Sequence, residues 1–212
     1  MTLLTNMSAV HAALITVALL PATVTAQVVH TQRNPAEMVA AFASETSGGA
    51  RRQASFEITE ALTHPGPRPQ AEVDALLDGL EDLSVRSRSP TVRREAAFLI
   101  SIPGSRRSKT PSARTFERLQ RVYRKSSDYT VKSVVVGTMG DLTDRGKAAA
   151  FLKTVAVEDS TGVLAGSALS SLLTLGDEGR AVLRQLHDSN EVPDSEARQI
   201  LSTMAKNGYR LP

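Results

Sequence analysis

Four glycines recur at the ends of apolar-periodic runs, Gly66, Gly104, Gly140 and Gly176, and they lie 38, 36 and 36 residues apart. Each run before a glycine places apolar residues three or four positions apart, which lines one face of a helix. A second such run follows each glycine. A period in the high thirties with two helices per unit restricts the chain to a stack of helical hairpins. One hairpin exposes too much apolar surface to stand alone, and stacking buries that surface in a continuous core. The most regular unit spans 162–186. Its first helix carries Leu164, Ala168, Leu172 and Leu175 on one face, and its second carries Val182, Leu183 and Leu186. Gly176 is expected to end the first helix in a left-handed conformation, with Asp177 capping the second.

The same grammar divides the rest of the chain. Asn34-Pro35-Ala-Glu37 is a helix start, with Asn34 as N-cap, Pro35 in the first turn and Glu37 at the third position. Ser47-Gly48-Gly49 is expected to end that helix. A first pair follows, 51–63 with Phe56, Ala61 and Leu62 on its apolar face, then 70–83. The second pair runs 90–102 and 113–125, the latter capped by Ser112, with Phe116, Leu119, Val122 and Tyr123 inward. The third runs 128–140 and 144–157. A last helix over 192–204 closes the array. The expected organisation is a signal peptide over 1–26, a linker and capping helix over 27–49, repeats over 50–190, and a C-terminal capping helix and tail over 191–212.

Three stretches resemble the HEAT-repeat family in its short bacterial form. They are Thr91-Val-Arg-Arg-Glu-Ala-Ala-Phe-Leu99, Thr130-Val-Lys-Ser-Val-Val-Val-Gly-Thr-Met-Gly-Asp141 and Ala168-Leu-Ser-Ser-Leu-Leu-Thr-Leu-Gly-Asp-Glu-Gly-Arg180. No unit carries the family's Val-Arg, central Ala and terminal Leu-Gly-Asp together. The resemblance covers about 50–206 and implies an all-α, right-handed α-solenoid of about four hairpins with end-capping helices, used as a protein-binding scaffold.

Residues 1–32 contain no Lys, Arg, Asp or Glu, and Ala9–Leu20 is almost wholly apolar. Val24 and Ala26 fit a signal-peptidase site, which predicts a mature start at Gln27 and export to the periplasm or the extracellular space. No basic residue precedes the apolar run, which departs from the usual pattern. A retained anchor over Met7–Val29 is the competing reading, since that length spans a bilayer. A buried helix is the third. After cleavage no transmembrane segment is expected.

Chemistry is sparse. The chain has no Cys, and His11, His30, His64 and His187 show no paired spacing, so neither a metal site nor a cofactor is expected. Gly140–Lys147 resembles a phosphate loop only superficially, because Ala148 stands where a Mg²⁺-binding hydroxyl is needed, and it reads as an interhelical turn. No nucleophile elbow is present, and the chain is expected not to be an enzyme.

Charge is the uneven feature. Although the whole chain carries +3, residues 86–125 hold twelve Lys and Arg against Glu95 and Glu117 alone. Arg114, Arg118, Arg121 and Lys125 fall at i, i+4, i+7 and i+11 on one helix. Together with Arg93 and Arg94 they are candidate contacts for an anionic partner. The competing reading is a solvated face, paired with the acidic first unit next door. Nucleic acid is a poor candidate, because no aromatics interleave the stripe. The expected function is an exported scaffold for protein–protein interaction. The alternative is a cell-envelope assembly protein whose basic stripe contacts anionic lipid or polymer.

Overall fold

Short polar side chains set where six of the described helices begin. In the computed structural model, which describes residues 33–44, 48–66, 68–106, 108 and 114–209, Asn34 opens α1 (Pro35–Ala43) with a complete capping box. Its side chain accepts from the Glu37 N–H at 2.9 Å, and the Glu37 carboxylate accepts from the Asn34 N–H at 3.2 Å. Ser89 opens α4 (Pro90–Ser101), Asp128 opens α6 (Tyr129–Met139), Asp144 opens α7 (Arg145–Glu158) and Asp194 opens α10 (Ser195–Lys206). Asp159 opens α8 (Val163–Thr174) from a distance, accepting from the Leu164 and Ala165 N–H groups at 2.6 and 3.0 Å. Each such cap contributes about 1 kcal/mol.

The remaining helices are α2 (Gly48–Thr63), α3 (Gln70–Arg86), α5 (Thr115–Lys125) and α9 (Asp177–Ser189), with a 3-10 turn at Ile102–Gly104. Among the described residues the secondary structure is thus ten α-helices and no strand, apart from one isolated bridge between Ser105 and Leu142. The chain is all-α. The signal-segment assignment falls on 1–32, outside the described residues, and so does Ser112.

Helices pack by alternation. The even-numbered helices touch in succession, α2 on α4, α4 on α6, α6 on α8 and α8 on α10. Each odd-numbered helix packs on the even one that follows it, most extensively α3 on α4 and α7 on α8. The core between the two sets is aliphatic. Val92, Ala96 and Ile100 of α4 meet Val131 and Val135 of α6, and Ala165, Leu169 and Leu172 of α8 continue the row, all fully buried. With no Trp and few aromatics, close approach of Ala and Val faces supplies the apolar burial.

Several expectations need correction. The first pair is not a packed hairpin: α2 packs chiefly on α1, with smaller contacts on the 3-10 turn and α4, whereas α3 packs on α1 and α4. Phe56 does not face the core. Ala54, Ile58, Ala61 and Leu62 occupy that face of α2, and Phe56 stands 61% exposed on the opposite side. Gly48 and Gly49 lie inside α2 and do not terminate α1. Gly176 has φ +76° but ψ −135°, so it is not in the left-handed helical region, and Gly176 itself occupies the N-cap position of α9. The Asp177 carboxylate instead accepts from Arg180 at 2.5 Å within the first turn of the helix.

Two of the recurring glycines, Gly104 and Gly140, are required by close packing. Gly140 has an ordinary helical φ of −65°. A side chain there would overlap the Thr174 hydroxyl and the Ser171 carbonyl. Its carbonyl accepts from Thr174 Oγ1 at 2.8 Å, and the Gly104 carbonyl accepts from the Thr143 N–H at 3.0 Å. Gly104 and Gly140 are therefore close-approach positions that tie one helix end to the residues near another.

Candidate functional site

Helix α5 carries the predicted basic stripe, and its two edges do different things. The stripe edge faces α3. Arg118 has a side chain only 6% exposed, and its guanidinium hydrogen-bonds Asp78, with Glu81 at 3.5 Å and Asp74 at 3.7 Å. Its Nε is buried without a hydrogen-bond partner. Arg121 grips Glu81 in bidentate fashion at 3.0 and 2.8 Å, and Lys125 reaches the same carboxylate at 3.4 Å. Arg114 approaches Asp74 at 3.7 Å from a largely exposed position. The Arg121 hydrogen bond, reinforced by the Lys125 charge, holds the Glu81 carboxyl below its usual pKa although burial opposes this. The four cations and Asp74, Asp78 and Glu81 thus form one closed charge ladder between two helices of the same chain.

Of the other two candidate contacts, Arg93 is also engaged. Its Nε and Nη2 donate to the Asp128 carboxylate at 3.0 and 2.5 Å, and its Nη1 donates to the Ser87 carbonyl at 2.7 Å. Asp128 accepts as well from the Thr130 hydroxyl at 2.7 Å. The Thr130 hydroxyl first, and Arg93 second, bring the Asp128 carboxyl down to about 2. Arg94 is different. It is exposed, and no carboxylate among the described residues pairs with it. The structure therefore brings Arg114, Arg118, Arg121 and Lys125 together, seats Arg93 at the α4–α6 junction, and leaves Arg94 alone on the outer side of α4.

The other edge of α5 faces α7 across a groove of about 530 Å³. Its floor is aromatic. Tyr123 and Phe116 set their rings edge-on to Phe151, with centroids 5.1 and 6.2 Å away. Chain cations already cover two of these rings, Lys132 over Tyr123 at 5.0 Å and Lys147 over Phe116 at 5.8 Å. Lys147 is further held by Glu117 at 3.0 Å and Asp144 at 3.1 Å. Burial of the Tyr123 phenol raises its pKa, which leaves a neutral hydroxyl at the groove.

No cluster of His, Asp and Glu among the described residues could hold a metal ion, and no described helix is long and apolar enough to cross a membrane. The fold and these surfaces define an all-α chain whose polar clusters join helix to helix. No protein-family model, curated protein or solved structure matches it.

These contacts match the competing reading, a stripe paired with the acidic first unit, and a signal for the individual acids exists as well. Asp74, Asp78 and Glu81 repeat the i, i+4, i+7 spacing of Arg114, Arg118 and Arg121, with each pair 40 positions apart. Matching charge patterns at a constant offset of 40 positions mark a ladder between two helices.

Proposed function

We propose that this chain is a non-catalytic, exported scaffold of HEAT-like helical hairpins that binds another protein through an outer face of its array. The observation that carries this reading is the alternation of helix contacts, even on even and odd on the following even. Hairpins stacked as a right-handed α-solenoid produce that alternation, and such stacks offer broad ridged faces to partners. The motifs at Thr91, Thr130 and Ala168 support the same assignment. Export rests on the uncharged, apolar stretch before Gln27.

The alternative, contact with anionic lipid or polymer through the stripe, requires Arg121 and Lys125 to leave Glu81 and leaves Arg118 inaccessible. It is the weaker reading for that reason. A pull-down of the mature chain from its own envelope extract separates the two. The scaffold reading expects one protein retained through a salt wash. Binding only to anionic vesicles, lost sharply with salt, would transfer the assignment to the alternative. Mass spectrometry of the N-terminus tests export, with Gln27 expected first and an intact Met1 in the cytosolic fraction contradicting it.

A further inference from the structure

Two neighbouring even-numbered helices repeat a short pattern that nothing among the described residues satisfies. On α2, Arg52 precedes Phe56 by four residues. On α4, Arg94 precedes Phe98 by four. A spacing of four places each arginine and phenylalanine on the same helix face. Phe56 is 61% and Phe98 55% exposed, and both arginines are exposed with no ion pair among the described residues.

One ion pair joins the two helices near these positions. Arg51 bonds Glu95 at 3.4 Å, and α2 also touches the turn at Ile102–Gly104 that follows α4. Arg51 and Glu95 adjoin Arg52 and Arg94 in sequence, so each arginine lies one residue from this contact, and each phenylalanine follows its arginine by four.

Resting on the scaffold reading above, we infer that the α2–α4 face docks an acidic amphipathic helix of a partner protein, seated on Phe56 and Phe98 and held by Arg52 and Arg94. Charge decides the occupant. Two guanidinium groups without a carboxylate among the described residues flank two exposed rings, whereas of the other described arginines of the basic segment only Arg88 and Arg124 lack an internal partner. An occupant with apolar residues at helical spacing and flanking Asp or Glu supplies what the face lacks. A basic or uncharged segment leaves both arginines uncompensated.

The test uses the full chain, immobilised, and a displayed library of random 16-residue peptides. Selection is made on the wild type, with counter-selection on the Phe56→Ser/Phe98→Ser variant. The expected consensus has apolar residues at helical spacing flanked by acidic ones. The selected peptide should bind at least tenfold more weakly to Arg52→Glu/Arg94→Glu. It should bind unchanged to Arg124→Glu, which makes the same kind of charge change on α5, an odd-numbered helix. All of these side chains are exposed, and thermal melting confirms that each variant is folded. A basic consensus, no consensus, or equal weakening by Arg124→Glu would overturn the inference. So would a concentration-dependent dimer, seen by sedimentation, that the Phe56→Ser/Phe98→Ser change abolishes, since it would assign the face to a second copy. A native partner still retained by that variant would overturn this face while leaving the scaffold reading intact. Retention of no native partner by the wild type would remove the scaffold reading itself.

Discussion

Two groups of arginines meet opposite fates in this molecule. On the α3–α5 side, Arg114, Arg118 and Arg121 face Asp74, Asp78 and Glu81, and the ladder closes within the chain. On the α2–α4 side, Arg52 and Arg94 have no carboxylate partner among the described residues and stand on helices with exposed rings. The difference lies in the neighbouring helix, not in the helices that carry the arginines. Helix α3 supplies an acidic stripe to α5, while no carboxylate among the described residues pairs with Arg52 or Arg94. Dense positive charge in the sequence is therefore a poor guide to where charge stays unpaired in the fold.

The largest expected difference between the two sides is in stability. Arg118→Met should destabilise the fold by about 3 kcal/mol, because three carboxylates lose their buried counter-charge. Arg94→Met should change stability by no more than about 0.5 kcal/mol, as an exposed and unpaired residue. Urea titration of both variants gives the comparison, and a loss below about 1 kcal/mol for Arg118→Met would break it.

Acid should act on the junctions and spare the open face. The Asp128 carboxyl is depressed in the folded state, from an ordinary 3.8 to about 2. Its contribution is therefore fully present above about pH 4 and is lost as pH falls through about 2, amounting to about 2 kcal/mol. Thr130→Val should flatten this acid limb more than Arg93→Met, since the Thr130 hydroxyl is the larger cause. Arg52→Met and Arg94→Met should leave it unaltered. Thermal melts between pH 2 and pH 7 check the order.

A smaller effect concerns the exposed rung of the ladder. A double-mutant cycle on Arg121 and Glu81 should give a coupling of about 1 kcal/mol, reduced in 1 M salt because Arg121 is half-exposed. Smallest of all, Phe56→Ser and Phe98→Ser should each alter stability by less than about 0.5 kcal/mol. A larger loss in denaturant titration would mean that these rings belong to the core and not to a surface kept for a partner.

Helix positions were legible because their causes are local. Asn34 and Glu37 form their capping box within four residues, and the apolar period of α8 needs no neighbour to be read. What stayed hidden depends on residues about one repeat away. Arg118 and Asp78 are 40 positions apart, and Arg93 and Asp128 are 35 apart. Neither pair can be assigned until the register of one unit on the next is known. The outward turn of Phe56 is hidden for a related reason. Helix α2 has apolar residues on more than one side, and only its contacts with α1 and α4 select the face that Ala54 and Ile58 occupy. Gly140 signalled a helix end correctly, but the approach of Thr174 that requires it lies in another unit.

The most direct measurement of the contrast is the exchange of the arginine Nε protons, followed by NMR on the folded chain near neutral pH. Burial at Arg118 and hydrogen bonds from Nε at Arg93 and Arg121 should slow exchange well below that of free arginine. Arg52 and Arg94 should exchange as free arginine does, and Arg94 should slow only when an acidic helix is bound. Uniformly fast exchange at Arg93, Arg118 and Arg121, or protection of Arg52 and Arg94 in the isolated chain, would contradict the division into a closed ladder and an open face.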